Sequence, residues 1–387
     1  MVKTIKVMLL PNNKQNTRLF QLADAARFAY NWAIGYEKAN HNSGNKFIPE
    51  GDLRKVFTRL KSENPEFAWL NDISNNVTKQ AIKDANTAFG NFFAKRSSFP
   101  VFKKKRKTKL AFYVDTAKIK FTDTHVKIEK LSTSKKKNKQ KLNWVRLAEH
   151  DRIPLNATYY NPRVTFDGLH WWLSISIEYE ENTVMPTAPG IGIDLGVKTL
   201  AICSDGQKYK NINKSSSVKQ LEKRKRRLQH QISRKYMKNK QGGKYCKTCN
   251  IVKSEQKLLK LNRRLTNIRH TYLHQVTTEI VNRKPRFIVM EDLNVHGMMK
   301  NKHLSRSVRE ACFNKFYQQI KYKTALNNVE FITADRYYPS SKMCSCCGNI
   351  KQDLKLSDRT YSCQQCGIII DRDFNASVNL SRYSHLA

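Results

Sequence analysis

Apolar residues recur along this chain at two different periods, and the places where the period changes divide it into segments. Residues 3–9, KTIKVML, alternate as a strand does. From Thr17 to about Phe93 the spacing becomes three and four, as in LFQLADAARFAYNWAIGY and VTKQAIKDANTAFGNFFAK, which predicts helices. Leu19, Leu22, Ala26, Tyr30 and Ala33 share one face of the first. Asn86, Phe89 and Phe93 continue such a face in the last, with Lys79, Lys83 and Lys95 around its rim. Between about 118 and 180 the period returns to two: KIKFTDTHVKIEKL, KLNWVRLAEH and HWWLSISIEYE alternate, and Leu173, Ile175, Ile177 and Tyr179 fall on one side. A small antiparallel β-barrel is the expected product. The strand at 3–9 is expected to join it, so that the helices form a lobe inserted into the barrel.

TVMPTAPG (183–190) is a Pro-containing linker, and a domain boundary is placed there. Two apolar strand-like runs follow in IGIDLGVKTLAICSDGQKYKNI, with a hairpin turn at Asp205-Gly206. A long basic helical pair, about 217–238 and 254–282, comes next. In it Val218, Leu221, Leu228 and Ile232 are expected to pair against Leu258, Leu261, Leu265, Ile268 and Ile280. PRFIVMEDL (285–293) reads as a buried strand ending in carboxylates, 305–326 as helix and VEFITAD (329–335) as strand. Strands and helices mixed in this way indicate an α/β core, and the whole reads as a multidomain α+β chain.

Charge changes the picture most. The 387 residues contain 72 Lys and Arg against 31 Asp and Glu, a net charge of +41. So large an excess repels itself unless a polyanion neutralises it, which points to nucleic acid, bound with strong salt dependence. No apolar stretch is long enough to span a membrane, and no signal peptide, lipidation motif or amphipathic anchor is recognised, so a cytoplasmic or nucleoid protein without a membrane partner is expected. The segment SSFPVFKKKRKTKLAFYV (97–114) interleaves aromatics with lysines. It reads either as a surface that stacks bases and contacts phosphates or as a solvated loop tethered by Phe99 and Phe102. The tract STSKKKNKQK (132–141) is a hairpin tip or loop with a general attraction for phosphates.

Without a secretion signal, nine cysteines argue for metal ligation where they pair, and six of them stand in CxxC pairs. Cys344, Cys347, Cys363 and Cys366 have the ribbon spacing for one tetrahedral, structural zinc, and Gly348 and Gly367 permit the positive φ of the knuckles. Cys346 lies off the pattern. Cys246 and Cys249 have no second pair nearby and read as an incomplete ribbon or a thiol-bearing loop rather than a second zinc.

Asp194 lies inside the apolar run GIDLGV, Glu291 ends RFIVME, and Asp373 stands in DRDFNASVNL at the start of a short helix. A charge in an apolar run is costly unless a cation or donors compensate it. Taken singly, each fits an N-cap or an ion-pair partner. Taken together they form a set of hard oxygen ligands for two magnesium ions of the kind that clamp a phosphodiester during hydrolysis. No phosphate loop, GxSxG elbow, HExxH or paired histidines compete with that reading.

GIDLGVKTLA, VMEDLN, YPSSKMCSCCG, YSCQQCG and DRDFNASVNL resemble, in order and spacing, the TnpB proteins of IS200/IS605- and IS607-type transposons, which are similar to Cas12 nucleases. FAYNWAIGY, AIKDANTAFGNFF and FPVFKKKRK extend the likeness over nearly the whole chain. The resemblance implies an RNA-guided DNA endonuclease, with one chain holding a guide RNA from the transposon end and cutting double-stranded DNA beside a short motif in a single magnesium site.

It also implies a wedge-like barrel (1–16 and 97–182), a helical recognition lobe (17–96), an RNase H-like RuvC domain (183–338 and 368–387) containing the basic hairpin 217–282, and a zinc ribbon (339–367). The family's catalytic triad falls on Asp194, Glu291 and Asp373, the last chosen over Asp371 by the D-x-N match. Motif recognition falls on Asn76, Lys79 and Gln80, with Phe99, Phe102, Lys103, Lys104 and Lys105 as further nucleic-acid contacts. Ser377, where the family usually has Ala, and Ser98, where a Gly often stands, depart from the pattern. Three rivals remain: a repressor that no longer cleaves, set against the presence of all three carboxylates; a transposase, set against the lack of a joining nucleophile; and a compact CRISPR effector, separable by genomic neighbourhood.

Overall fold

A computed structural model describes residues 2–105, 107–132, 140–178, 185–355 and 358–383. Most of the tract 132–141, Tyr179 and the start of the linker 183–190 lie outside the described residues. The chain divides into two compact units, 1–180 and 181–387.

In the first unit, β1 (Val2–Leu10) is followed by α1 (Asn13–Asn42), α2 (Glu50–Glu63), a 3-10 turn at Pro65–Asp72 and α3 (Asn75–Phe93). The sheet then resumes with β2 (Ala111–Tyr113), β3 (Lys120–Phe121), β4 (His125–Lys127), β5 (Trp144–Leu147), β6 (Tyr159–Phe166) and β7 (Trp171–Glu178). The antiparallel order is β2-β6-β7-β1-β5-β4-β3, so β1 is paired on both sides by strands that come after the helices. Among the described residues the expected barrel does not close. β2 and β3 are the two ends of the ladder, and with three and two residues they offer few groups for closure.

The helical stretch breaks where helix-incompatible residues stand: Gly44, at φ +77°, follows α1, Pro49 precedes α2 and Pro65 begins the 3-10 turn. α1 starts from a capping box in which the Asn12 side chain accepts from the Gln15 amide and the Gln15 side chain accepts from the Asn12 amide, both at 2.9 Å. Its apolar face of Leu19, Leu22, Ala26, Tyr30 and Ala33 is buried in one core that also holds Val77, Ala81 and Ala85 of α3 and Val7, Leu9, Leu173 and Ile175 of the sheet, with α3 as its main packing partner. Each such leucine contributes about 1.5–3 kcal/mol. Phe93, expected on the buried face of α3, is exposed at the helix end, where it packs on Phe47 and Phe89.

In the second unit, β8 (Ile191–Leu195), β9 (Thr199–Cys203), β10 (Lys208–Lys210), β13 (Phe287–Glu291) and β14 (Glu330–Ala334) make a five-stranded sheet in the order β10-β9-β8-β13-β14. The β8-β9-β10 pairings are antiparallel, and the β8-β13-β14 pairings are parallel. Between β10 and β13 rise α4 (Ser216–Lys238) and α5 (Cys249–Asn282), with β11 (Lys240–Gln241) and β12 (Lys244–Tyr245) at the tip. Ile280, expected in the hairpin seam, packs under the sheet instead. α6 (Val295–Lys300), α7 (Ser305–Ala311) and α8 (Phe313–Leu326) follow β13. The helix foreseen over 305–326 is broken by Cys312 at φ +56°. β15 (Thr360–Ser362), β16 (Ile369–Asp371) and α9 (Arg372–Arg382) end the described chain.

Candidate active site and cysteine cluster

The carboxylates come together through strand register. In the parallel pair, Ile288 sits opposite Ile191, Val289 opposite Gly192 and Met290 opposite Ile193, so one further step sets Glu291 beside Asp194. Alternation decides which face they share. Ile191, Ile193, Ile288 and Met290 point into the core formed with α5 and α8, whereas Val289 packs on Leu380 of α9. Gly192 faces the same helix: a Cβ there would lie 2.9 Å from the Leu380 carbonyl carbon and nearer still to Ser377 O and Ser381 N. Asp194 and Glu291 therefore point toward the α9 side, and Asp373 stands in the first turn of α9.

Asp194 reports that convergence. Burial, with the charges of Asp373, Glu291 and Asp371 added, pushes its carboxyl from an ordinary 3.8 up to about 7, and Arg372 opposes the shift. Glu291 is also raised, by burial and by Asp292. Asp371 is engaged elsewhere. It caps α9, accepting from the amides of Asp373 and Phe374 at 3.0 Å each. Arg372 holds the Asp373 side chain from Nε at 3.2 Å and Nη2 at 3.1 Å, with Arg359 at 3.8 Å. A partly enclosed cluster of hard oxygens, in which burial and then mutual repulsion disfavour the charged form, has the donor chemistry for a divalent cation.

The four cysteines are closer still. Cys344 and Cys366 sulfurs lie 3.6 Å apart, those of Cys347 and Cys363 3.5 Å, and all four lie within 4.8 Å of one another. A tetrahedron of Zn–S bonds has edges of about 3.8 Å, so the group could hold a metal such as zinc. Among the described residues no other set of three or more potential ligands meets that distance, and the three carboxylates are spread more widely. Gly348 and Gly367, at φ +78° and +73°, close each knuckle by donating to the Cys344 and Cys363 carbonyls. Amides of Cys366 and Gln365 draw the Cys363 thiol down to about 6. Cys246 and Cys249 join no such group, and the Cys246 sulfur is taken up by Gln241 at 3.2 Å.

A clamp that sequence reading missed joins cluster to carboxylate. The Asn375 side chain donates to Met343 O at 2.7 Å and accepts from the Ser345 amide at 2.9 Å. Asn379 donates to Ser340 O and Met343 O at 2.8 and 2.6 Å, and Arg382 donates to Ser345 O. These three residues lie on one face of α9 and grip the loop that carries Cys344. Their i, i+4, i+7 spacing was the available signal. Ser377 fits because its hydroxyl donates to Phe374 O at 2.7 Å within the same helix.

In the first unit the expected nucleic-acid residues are less free. Asn76 donates to Asp115 at 2.6 Å, and Gln80 donates to Asp84, which Arg163 grips at 2.8 and 2.9 Å; Lys79 is exposed. Phe99 packs edge-on against Phe89 and Phe92, and Lys38 lies over both Phe99 and Phe102. Asn31 bonds the Lys103 backbone in both directions, the Lys103 ammonium sits 3.5 Å above the Tyr30 ring, and Lys105 pairs with Asp24. Phe99 and Phe102 are thus packed on one side and still 43% and 45% exposed, and Lys104 is exposed.

Three family models match the chain: a helix-turn-helix domain of the OrfB IS605 type over residues 1–46, a probable transposase (OrfB IS605) over 174–302 and a Cas12f1-like TNB domain over 313–380. The 1–46 segment is here a strand followed by one 30-residue helix. A putative RNA-guided DNA endonuclease, InsQ, of Escherichia coli (strain K12) is 29% identical over 400 residues, covering 99% of this chain and 92% of that protein. A putative RNA-guided DNA endonuclease of Streptomyces pristinaespiralis is 28% identical over 380 residues, covering 98% and 88%. Among solved structures, a Cas12f1 in complex with sgRNA and target DNA matches with a TM-score of 0.55 at 12% identity over 98% of both chains, which shows likeness of fold.

Proposed function

Because the chain belongs to the TnpB family of IS605-type transposable elements, we propose that it is an RNA-guided DNA endonuclease that hydrolyses target DNA in one magnesium-dependent site. The observation that carries the reading is the convergence of Asp194, Glu291 and Asp373 on one side of a sheet, where burial first, and then the charges of Asp373 and Glu291, raise the Asp194 pKa to about 7. The order of that sheet, an antiparallel triplet extended by two parallel strands, supports an RNase H-like RuvC domain.

Two magnesium ions bound there would supply Lewis-acid stabilisation of the attacking and leaving oxygens of a phosphodiester. The chain's own part is positional. Adjacent strands fix Asp194 and Glu291, the cap by Asp371 starts the helix that presents Asp373, and Arg372 sets the orientation of that carboxylate. Cys344, Cys347, Cys363 and Cys366 hold one structural zinc, which keeps the loop gripped by Asn375 and Asn379 in place.

Base pairing with a guide RNA from the transposon end reads the target, and the protein supplies charge and shape. Asn76, Lys79 and Gln80 face a short adjacent DNA motif, and Phe99, Phe102 and Lys103 to Lys105 border the nucleic acid, one chain acting with its RNA. No described helix is long and apolar enough to cross a membrane.

The test is expression with the native flanking DNA, sequencing of copurifying RNA, and challenge with target plasmids carrying a randomised flank. Asp194→Ala should keep the RNA and lose cleavage by at least about 1000-fold. Absence of any copurifying RNA, or cleavage undiminished in Asp194→Ala, would refute the proposal.

A further inference from the structure

Between α4 and α5 lies an open groove of about 670 Å³ whose walls carry Arg224, Arg227 and Arg234 from one helix and Lys257, Lys260 and Arg264 from the other. Leu228 and Leu261 supply its apolar lining, and no acidic residue borders it. None of the six cationic side chains has a hydrogen bond or ion pair among the described residues. The acids of the hairpin are used nearer its two ends: Glu222 pairs with Arg269, Lys225 and Arg306, and Glu255 with Lys247. The middle of the hairpin is left uniformly positive, an arrangement that repels itself unless an anion enters.

The length of the groove selects the kind of anion. Ten residues separate Arg224 from Arg234, about 15 Å along the helix. A nucleic-acid duplex carries about four phosphates per strand over that distance, at roughly 3.4 Å each. Six cations on two facing walls exceed what one small anion can neutralise and match a run of phosphates.

We propose that this groove binds the phosphodiester backbone of a nucleic-acid strand, at a site separate from the carboxylates. The inference rests on the reading that the chain binds nucleic acid and adds the surface that holds it.

The test uses the full-length protein. Binding of fluorescent RNA and DNA duplexes is measured from 50 to 300 mM KCl for the wild type, for Arg227→Glu/Arg264→Glu, and for the control Lys219→Glu/Arg226→Glu. The control has the same net charge, and Arg226 projects about 200° around α4 from Arg224. The groove variant is expected to bind roughly 10–100-fold more weakly at 0.1 M salt, with the slope of log K on log salt reduced by about 1.4–1.8, while the control changes far less. A loss confined to RNA assigns the guide strand to the groove, a loss confined to DNA the target, and either supports the proposal. Equal losses in groove variant and control overturn it. Failure of the wild type to bind either duplex refutes the proposed function itself. Should the reversal lower the unfolding temperature, Arg227→Ala/Arg264→Ala gives the same comparison, with a similar change in slope and a smaller loss of affinity because no repulsive charge is added.

Discussion

At pH 8 and without divalent ions, Asp194→Asn is expected to raise the unfolding temperature of the second unit by several degrees. Its carboxyl is pushed up from 3.8 to about 7, so the folded state holds that proton more tightly than the unfolded chain does. The stability it contributes is therefore complete below the ordinary carboxylate range and is lost as pH rises through 7. A shift of about three units corresponds to about 4 kcal/mol. That figure is a ceiling, because the side chain is only partly shielded and water screens its neighbours.

Asparagine keeps the shape and removes the charge, so the variant should escape the loss. At roughly 2–4 °C per kcal/mol for a unit of this size, half the ceiling gives about 4–8 °C. Thermal unfolding in EDTA at pH 5 and pH 8 makes the measurement: the gap between variant and wild type should be less than half as large at pH 5 as at pH 8. Adding magnesium should then raise the wild type toward the variant and leave the variant nearly unmoved. A wild type as stable as Asp194→Asn at pH 8, or a gap independent of pH, would refute the burial and crowding of charge argued for Asp194.

Chelating or mutating the cysteine cluster (Cys363→Ser) should release about one zinc per chain and lower the unfolding temperature, which metal analysis and calorimetry would read together. Gly192→Ala should cost about 3 kcal/mol or more, because its methyl meets the α9 backbone rather than a side chain that can move, and chemical denaturation checks it. Asn375→Ala should cost about 1–3 kcal/mol, chiefly by leaving the Ser345 amide unpaired while the Met343 carbonyl keeps its bond from Asn379, with a fall in cleavage rate exceeding that of an equally destabilising core variant. Glu222→Gln should destabilise by about 1–2 kcal/mol, since it weakens the 3.0 Å ion pair to the half-buried Arg269, which Glu310 approaches only to 3.9 Å, again read by denaturation.

Periodicity made most elements legible, because burial against a neighbour leaves its mark on residue type wherever an element has one wet face. The alternation of Leu173, Ile175 and Ile177 and the helical face of Leu19, Leu22 and Ala26 are such marks, and all are buried as expected. Where an end is open the mark fails, as at the exposed Phe93. Sheet closure was not legible, since it depends on ladder bonds between short end strands that carry almost no pattern. The nucleic-acid residues of the first unit were chosen by type, and type does not reveal that Asn76 and Gln80 spend their amides on Asp115 and Asp84.

By itself the sequence determined the local chemistry: four cysteines at ribbon spacing, carboxylates at the ends of apolar runs, and a net charge of +41 that demands a polyanion. Tertiary structure decided what those groups do to one another. Parallel register sets Asp194 beside Glu291, a glycine with no room for a methyl lets α9 bring Asp373 to the same face, and Asn375 and Asn379 fasten that helix to the cysteine cluster. The physical reason is range. Propensity and spacing act within a few residues, whereas charges more than a hundred residues apart in the chain interact only once a sheet and a helix have carried them together.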